Sequence, residues 1–138
     1  IDNNSSALMV IDDSDFTYTH LNIGFDAKAI AVVPNHRKVY VWHYDASGEM
    51  KVIDMDTKAI TSLGNTGHNP WGCHYEESQE IIYISYQQGA MVKLFSAVDG
   101  SLITQFDTGK NPTDVGVNSN TGQIYVPCTQ DRTVYIYS

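Results

Sequence analysis

The side chains best suited to chemistry in this chain recur at one interval. Asp26, His68 and Lys110 stand 42 residues apart, so a carboxylate, an imidazole and an ammonium occupy one position of successive units. Different polar groups at equivalent positions let a repeated scaffold build a binding face for a partner of mixed polarity. Trp71, just after Pro70, adds an aromatic surface suited to a sugar or a peptide. His74, next to Cys73, with His68 close before it, raises the question of a metal. A zinc site needs three or four converging ligands, and consecutive strand residues point to opposite faces, so no metal is expected and His74 is expected to pack between blades, equivalent to Val32 and Gly116. The acidic runs Asp12-Asp13-Ser14-Asp15 and Asp54-Met55-Asp56-Thr57 lack the ligand ladder of a calcium loop. They read as turns in which Asp accepts backbone hydrogen bonds. No G-x-S-x-G elbow and no glycine-rich phosphate loop is present, so no catalytic residue and no cofactor is assigned.

The elements that must position these groups follow the same interval. Val10-Ile11-Asp12, Val52-Ile53-Asp54, Leu94-Phe95-Ser96 and Ile136-Tyr137-Ser138 step by 42 residues, and so do Gly67-His68-Asn69-Pro70 and Gly109-Lys110-Asn111-Pro112. Two unrelated landmarks in one register mark a repeat protein. A period near 40 made of short apolar strands and turn residues is the signature of a β-propeller, one four-stranded blade per unit. In the best-formed unit the inner strand Asp114 to Asn118 is followed by the turn Ser119-Asn120-Thr121-Gly122. The β-rich run Gln123-Ile124-Tyr125-Val126, a polar loop and Thr133 to Tyr137 complete it. All four prolines open or close strands, where an amide hydrogen can be spared.

Counting strands predicts an all-β chain of thirteen strands. They form a partial β-propeller of about three four-stranded antiparallel blades, part of a larger closed ring. A ring of six to eight blades needs roughly 250 to 340 residues at this period, about twice what 138 residues supply. Residues 1–7 read as an N-terminal tail and 8–138 as the propeller segment, with units at about 8–49, 50–90 and 91–132 and a last strand at 133–138. The uncovered faces are expected to carry Ile11, Ile23, Val117 and Val126. They should be covered, and the last strand paired, by further blades from the same parent protein or from another chain.

Composition narrows the partners. A formal net charge of -8 repels nucleic acid and anionic lipid, so neither is expected. No apolar run reaches the length of a membrane span. The start at Ile1, without Met or a signal peptide, reads as a processed or excised piece. Cys73 aligns with Ala31 and Val115 inside an inner strand, whereas Cys128 ends a strand one unit later. The two are therefore expected to be unbonded.

Gly109 to Val117, then Gly122 to Val126, then Thr133 to Ile136, together resemble the YVTN family of β-propeller repeats. Lys38-Val39-Tyr40-Val41, Ile82-Tyr83-Ile84 and Lys51-Val52-Ile53-Asp54 match its second and third strands. The first unit departs from the pattern, with Phe25-Asp26-Ala27-Lys28 where the family has Gly-x-Asn-Pro. The resemblance implies a surface-layer or lactonase-like type of propeller in an extracellular or cell-surface setting, periplasmic if bacterial. The sequons at Asn3 and Asn4 are compatible with a secreted glycoprotein. On this reading the chain is a non-catalytic binding or structural module of an oligomeric or multi-blade assembly. It would contact a protein or glycan through Asp26, His68, Lys110 and Trp71. The alternative is a segment of a lactonase-like propeller hydrolase.

Overall fold

In the computed structural model residues 6–138 are described; Asn3 and Asn4 lie outside them. Alternation of apolar and polar side chains sets the strands. In β3 (Ala27–Val33) the alanines and Val33 are buried while Lys28 and Val32 are exposed, the period-2 signature of a pleated sheet with one covered face. The other strands are β1 (Ala7–Ile11), β2 (Tyr18–Asn22), β4 (Lys38–His43), β5 (Glu49–Asp54) and β6 (Ile60–Asn65). They continue as β7 (Pro70–Glu76), β8 (Ile81–Tyr86), β9 (Met91–Ser96), β10 (Leu102–Asp107), β11 (Gly116–Asn118), β12 (Gln123–Cys128) and β13 (Thr133–Tyr137). A 3-10 turn, Pro34–His36, follows β3.

Four antiparallel sheets result. The leading sheet is β1-β2, the first full blade β3-β4-β5-β6, the second β7-β8-β9-β10, and the trailing sheet β11-β12-β13. β7 lies against both β3 and β11, so the inner strands stand side by side as they do around a propeller channel. The inner strand of the trailing sheet is shorter than expected. An isolated bridge joins Pro112 to Cys128 of β12, but Asp114 then turns its own carboxylate onto Val115 N, and continuous pairing with β12 begins at Gly116.

Each interface between sheets has its own core, because a two-faced blade must bury both faces. Leu8, Ile23, Phe25, Val41 and Ile53 fill the first. Tyr40, Trp42, Ile82, Ile84, Tyr86 and Phe95 fill the second. Tyr83, Val92, Leu94, Val126 and Cys128 fill the third. Ile23 and Val126 are thus buried rather than on uncovered faces, and Val117 is half-buried; only Ile11 is exposed as expected. Both buried residues pack into a core shared with a neighbouring sheet of this chain, Ile23 just past the end of β2 and Val126 within β12. The exposed apolar groups at the two ends of the arc are instead Met9, Val10, Ile11, Phe16 and Tyr18 at one and Val134, Tyr135 and Ile136 at the other, with Val32, Leu63, Val98, Leu102 and Ile103 exposed on the blades between.

Polar links tie the blades. Tyr40 donates to the Ala97 carbonyl at 3.0 Å, and Tyr75 donates to Asn35 Oδ1 at 2.7 Å. Ser119 donates to Glu76 Oε2 at 2.5 Å, while Ser78 Oγ donates to Oε1 at 2.7 Å. These bonds, Ser119 foremost, hold the Glu76 carboxyl below its ordinary value. A carboxylate depressed on folding stabilises in full above its unfolded value, and that stability is lost as pH falls through the folded one. Stability is therefore expected to decline on acidification below the ordinary carboxylate range. Glu76→Gln should flatten that decline while costing about 1–2 kcal/mol at neutral pH. Urea unfolding of both proteins at neutral pH and at a pH below the ordinary carboxylate range checks it.

Candidate binding face

Antiparallel pairing sends alternate turns to opposite ends. The crossovers at 24–26, 66–69 and 108–111 therefore share one end with the turns at 44–48, 87–90 and 129–132. Backbone bonds join the two sets. Asn69 accepts from Gln87 N at 3.1 Å, Asn111 from Thr129 N at 3.1 Å, and Asp26 from Tyr44 N at 3.3 Å. Asn69 and Asn111 have φ of 53° and 56°, the left-handed region that Asn tolerates better than most residues. Their unit-one counterpart is Ala27, which lies in regular strand.

All three predicted groups stand at that end. Asp26 is exposed, with Ser6 Oγ 3.5 Å from its carboxylate. Lys110 is exposed, its backbone N–H donating to Asp131 Oδ2 at 2.7 Å. His68 is exposed and rims a pocket of about 380 Å³, with Gly67, Tyr86, Gln88, Met91 and Lys93 among its walls. Of the three, only His68 belongs to this pocket. Trp71 is not a bare platform: the Lys28 ammonium sits 3.9 Å above its ring, and Tyr44 meets it edge-on at 5.2 Å. Lys28 was not singled out by sequence reasoning, although the repeat places it in the inner strand beside that of Trp71.

The other candidates resolve as follows. Cys73 and Cys128 are free thiols. Cys73 donates to the Ile30 carbonyl at 2.8 Å, and burial pushes its thiol up to about 11, which makes it a poor nucleophile. His74 is half-exposed on an open groove beside Glu76 and Ser119 rather than packed between blades. Its counterpart in the neighbouring inner strand is Gly116, which has no side chain to cover it. Among the described residues no three His, Cys, Asp or Glu side chains converge. Asp12 and Asp54 accept backbone N–H bonds within their own turns, from Ser14 at 2.8 Å and from Thr57 at 2.7 Å, as the turn reading requires. No described helix is long and apolar enough to cross a membrane.

No family model matches the chain, and no curated protein matches it in sequence. Solved structures do. Hydrazine synthase of Kuenenia stuttgartiensis aligns over 95% of this chain and 51% of that one, with TM-score 0.77 and 12% identity. A putative 6-phosphogluconolactonase from Bacteroides uniformis aligns over 100% and 46%, with TM-score 0.78 and 13% identity. The β-propeller domain of Myceliophteria thermophila Cps50 (Swd1) aligns over 80% and 38%, with TM-score 0.62 and 12% identity. The chain spans about half the length of the first two, 51% and 46%. At these identities the likeness speaks for fold alone, and with the four blade-like sheets it shows that the chain is an arc of a β-propeller.

Proposed function

We propose that this arc belongs to a YVTN-type propeller in an extracellular or cell-surface protein, where it acts as a non-catalytic binding module. The carrying observation is that Asp26, His68 and Lys110 are exposed at one repeat position and at one end of the sheets, each with a different polar group. Such a face suits a protein or glycan partner with mixed charge rather than a single deeply enclosed substrate. The bare outer edge of β13 and the exposed Val134 and Ile136 support completion of the ring by further blades.

The test is binding of the full chain to a glycan array and a panel of secreted proteins, beside the triple variant Asp26→Ala, His68→Ala, Lys110→Ala. Affinity for the partner is expected to fall about tenfold or more in the triple variant with the fold retained. Undiminished binding would remove this face from the reading, and turnover of a lactone would favour the hydrolase. Mass spectrometry of the protein from its source checks the secreted setting, the expected result being a glycan at Asn3 or Asn4.

A further inference from the structure

The repeat supplies its own comparison for the pocket at His68. In the first full blade the place of Gly67 is taken by Phe25, which is buried and stacks on His43 at 4.8 Å. Lys51, at the repeat position of Lys93, holds its ammonium 4.6 Å from the Phe25 ring and donates to the Ile23 carbonyl at 2.8 Å. The Glu49 carboxylate stands 3.9 Å away as its counter-charge. In the trailing sheet the glycine recurs as Gly109, but the lysine position is Tyr135. Its ring fills the space: a Cβ on Gly109 would fall 2.2 Å from Tyr135 Cε2.

In the second full blade both fillers are missing. Gly67 leaves the place of Phe25 empty, and Met91 stands where Glu49 stood. Lys93 keeps a bond to the Thr66 carbonyl and lies 5.0 Å from the Tyr86 ring. Among the described ion pairs it has no carboxylate. Partial burial lowers its proton affinity, as loss of solvent around a charged group does. The Tyr86 hydroxyl is already engaged with Thr66 Oγ1 at 2.7 Å, so the ring offers an apolar wall. The cavity of about 380 Å³ lies at the small end of ligand-pocket sizes, about 300 to 1,000 Å³. Its walls come from the second full blade and from the crossover that leads into it.

We propose that this pocket binds a small monocarboxylate, its carboxylate on Lys93 Nζ and its apolar body against Met91 and the ring of Tyr86. A single ammonium matches a single negative charge, and the ligand takes the place that the Glu49 carboxylate and the Phe25 ring occupy one blade earlier. The pocket shares its rim residue His68 with the docking face, but binding of a carboxylate on Lys93 does not depend on that face's partner.

Titration calorimetry of the full chain with phenylacetate and its neutral isostere phenylacetamide tests the proposal. Phenylacetate is expected to bind saturably and phenylacetamide about tenfold more weakly or worse, the scale of a charge-assisted hydrogen bond. Met91→Glu restores the internal counter-ion and should abolish phenylacetate binding while keeping the lysine. Lys93→Met should do the same, and Lys51→Met should leave binding unchanged, each with wild-type circular dichroism. Equal affinity for the two probes, no binding of phenylacetate, or undiminished binding in Met91→Glu would overturn the proposal. Tighter binding of inorganic phosphate than of phenylacetate would overturn the ligand class. The probe pair on the unmodified protein decides even if a variant fails to fold.

Discussion

Trp42→Ala is expected to destabilise the protein by about 3–5 kcal/mol, the cost of an emptied aromatic site in a core that cannot collapse around it. Trp42 is 0% exposed. Its ring lies 6.2 Å from Tyr40 on its own strand and 6.2 Å from Phe95 on the next blade. The cavity would therefore open between blades, where two rigid sheets face each other and neither can move in without breaking its own ladder. A domain of this size is stable by roughly 5–15 kcal/mol, so the loss takes a large share of the total. Val32→Ala on the inner strand of the same blade removes an apolar group that is 46% exposed and should stay within about 0.5 kcal/mol of wild type. Urea unfolding followed by circular dichroism compares them. Equal midpoints for the two variants would show that the interface between the full blades does not carry the stability assigned to it.

Gly72→Val should force the inner strands of the second blade and the trailing sheet apart. A Cβ at Gly72 would lie 2.7 Å from Asp114 Cα, 2.8 Å from the Thr113 carbonyl oxygen and 2.6 Å from Asp114 Oδ1. Two of those contacts are backbone and cannot swing aside, and carbon atoms pack at about 3.5–4.0 Å. Overpacking of this kind costs about 1–3 kcal/mol, and the two further methyl groups of Val place the expected value at the upper end. Gly116 supplies the control, since a Cβ there meets nothing within 4 Å. Gly116→Ala should be neutral or slightly stabilising, because Ala restricts the unfolded chain. Similar losses at both glycines would mean that the effect comes from strand backbone preference and not from the approach of one blade to the next.

Much of the fold was legible because its signals are local. β8 can be read from Ile82-Tyr83-Ile84, and the turn after β5 from Asp54 with Thr57, since alternation and turn chemistry act within a few residues. The 42-residue step then copies each assignment into the next unit. Side-chain surroundings were less legible. Ile23 and Val126 were expected on uncovered faces and are buried, because the deciding fact is which sheet lies opposite. His74 was expected between blades and lies on an open groove, because its opposite number is a glycine. Trp71 was expected as a possible platform and carries Lys28 on its ring, a contact made only when two inner strands come side by side. The alignment of Phe25 with Gly67, and of Glu49 with Met91, was in the sequence, but nothing local says that these positions and Lys93 meet.

By itself the sequence determined the strand number, the order and direction of the strands and the end of the sheets at which Asp26, His68 and Lys110 emerge, because period-2 alternation and short turns act through neighbouring residues. Only the tertiary structure decided which apolar faces are covered, that among the described residues no carboxylate pairs with Lys93, and where a cavity remains. Those depend on side chains some 40 residues apart in sequence, brought together by blade packing, where one ring more or less changes a filled interface into a pocket.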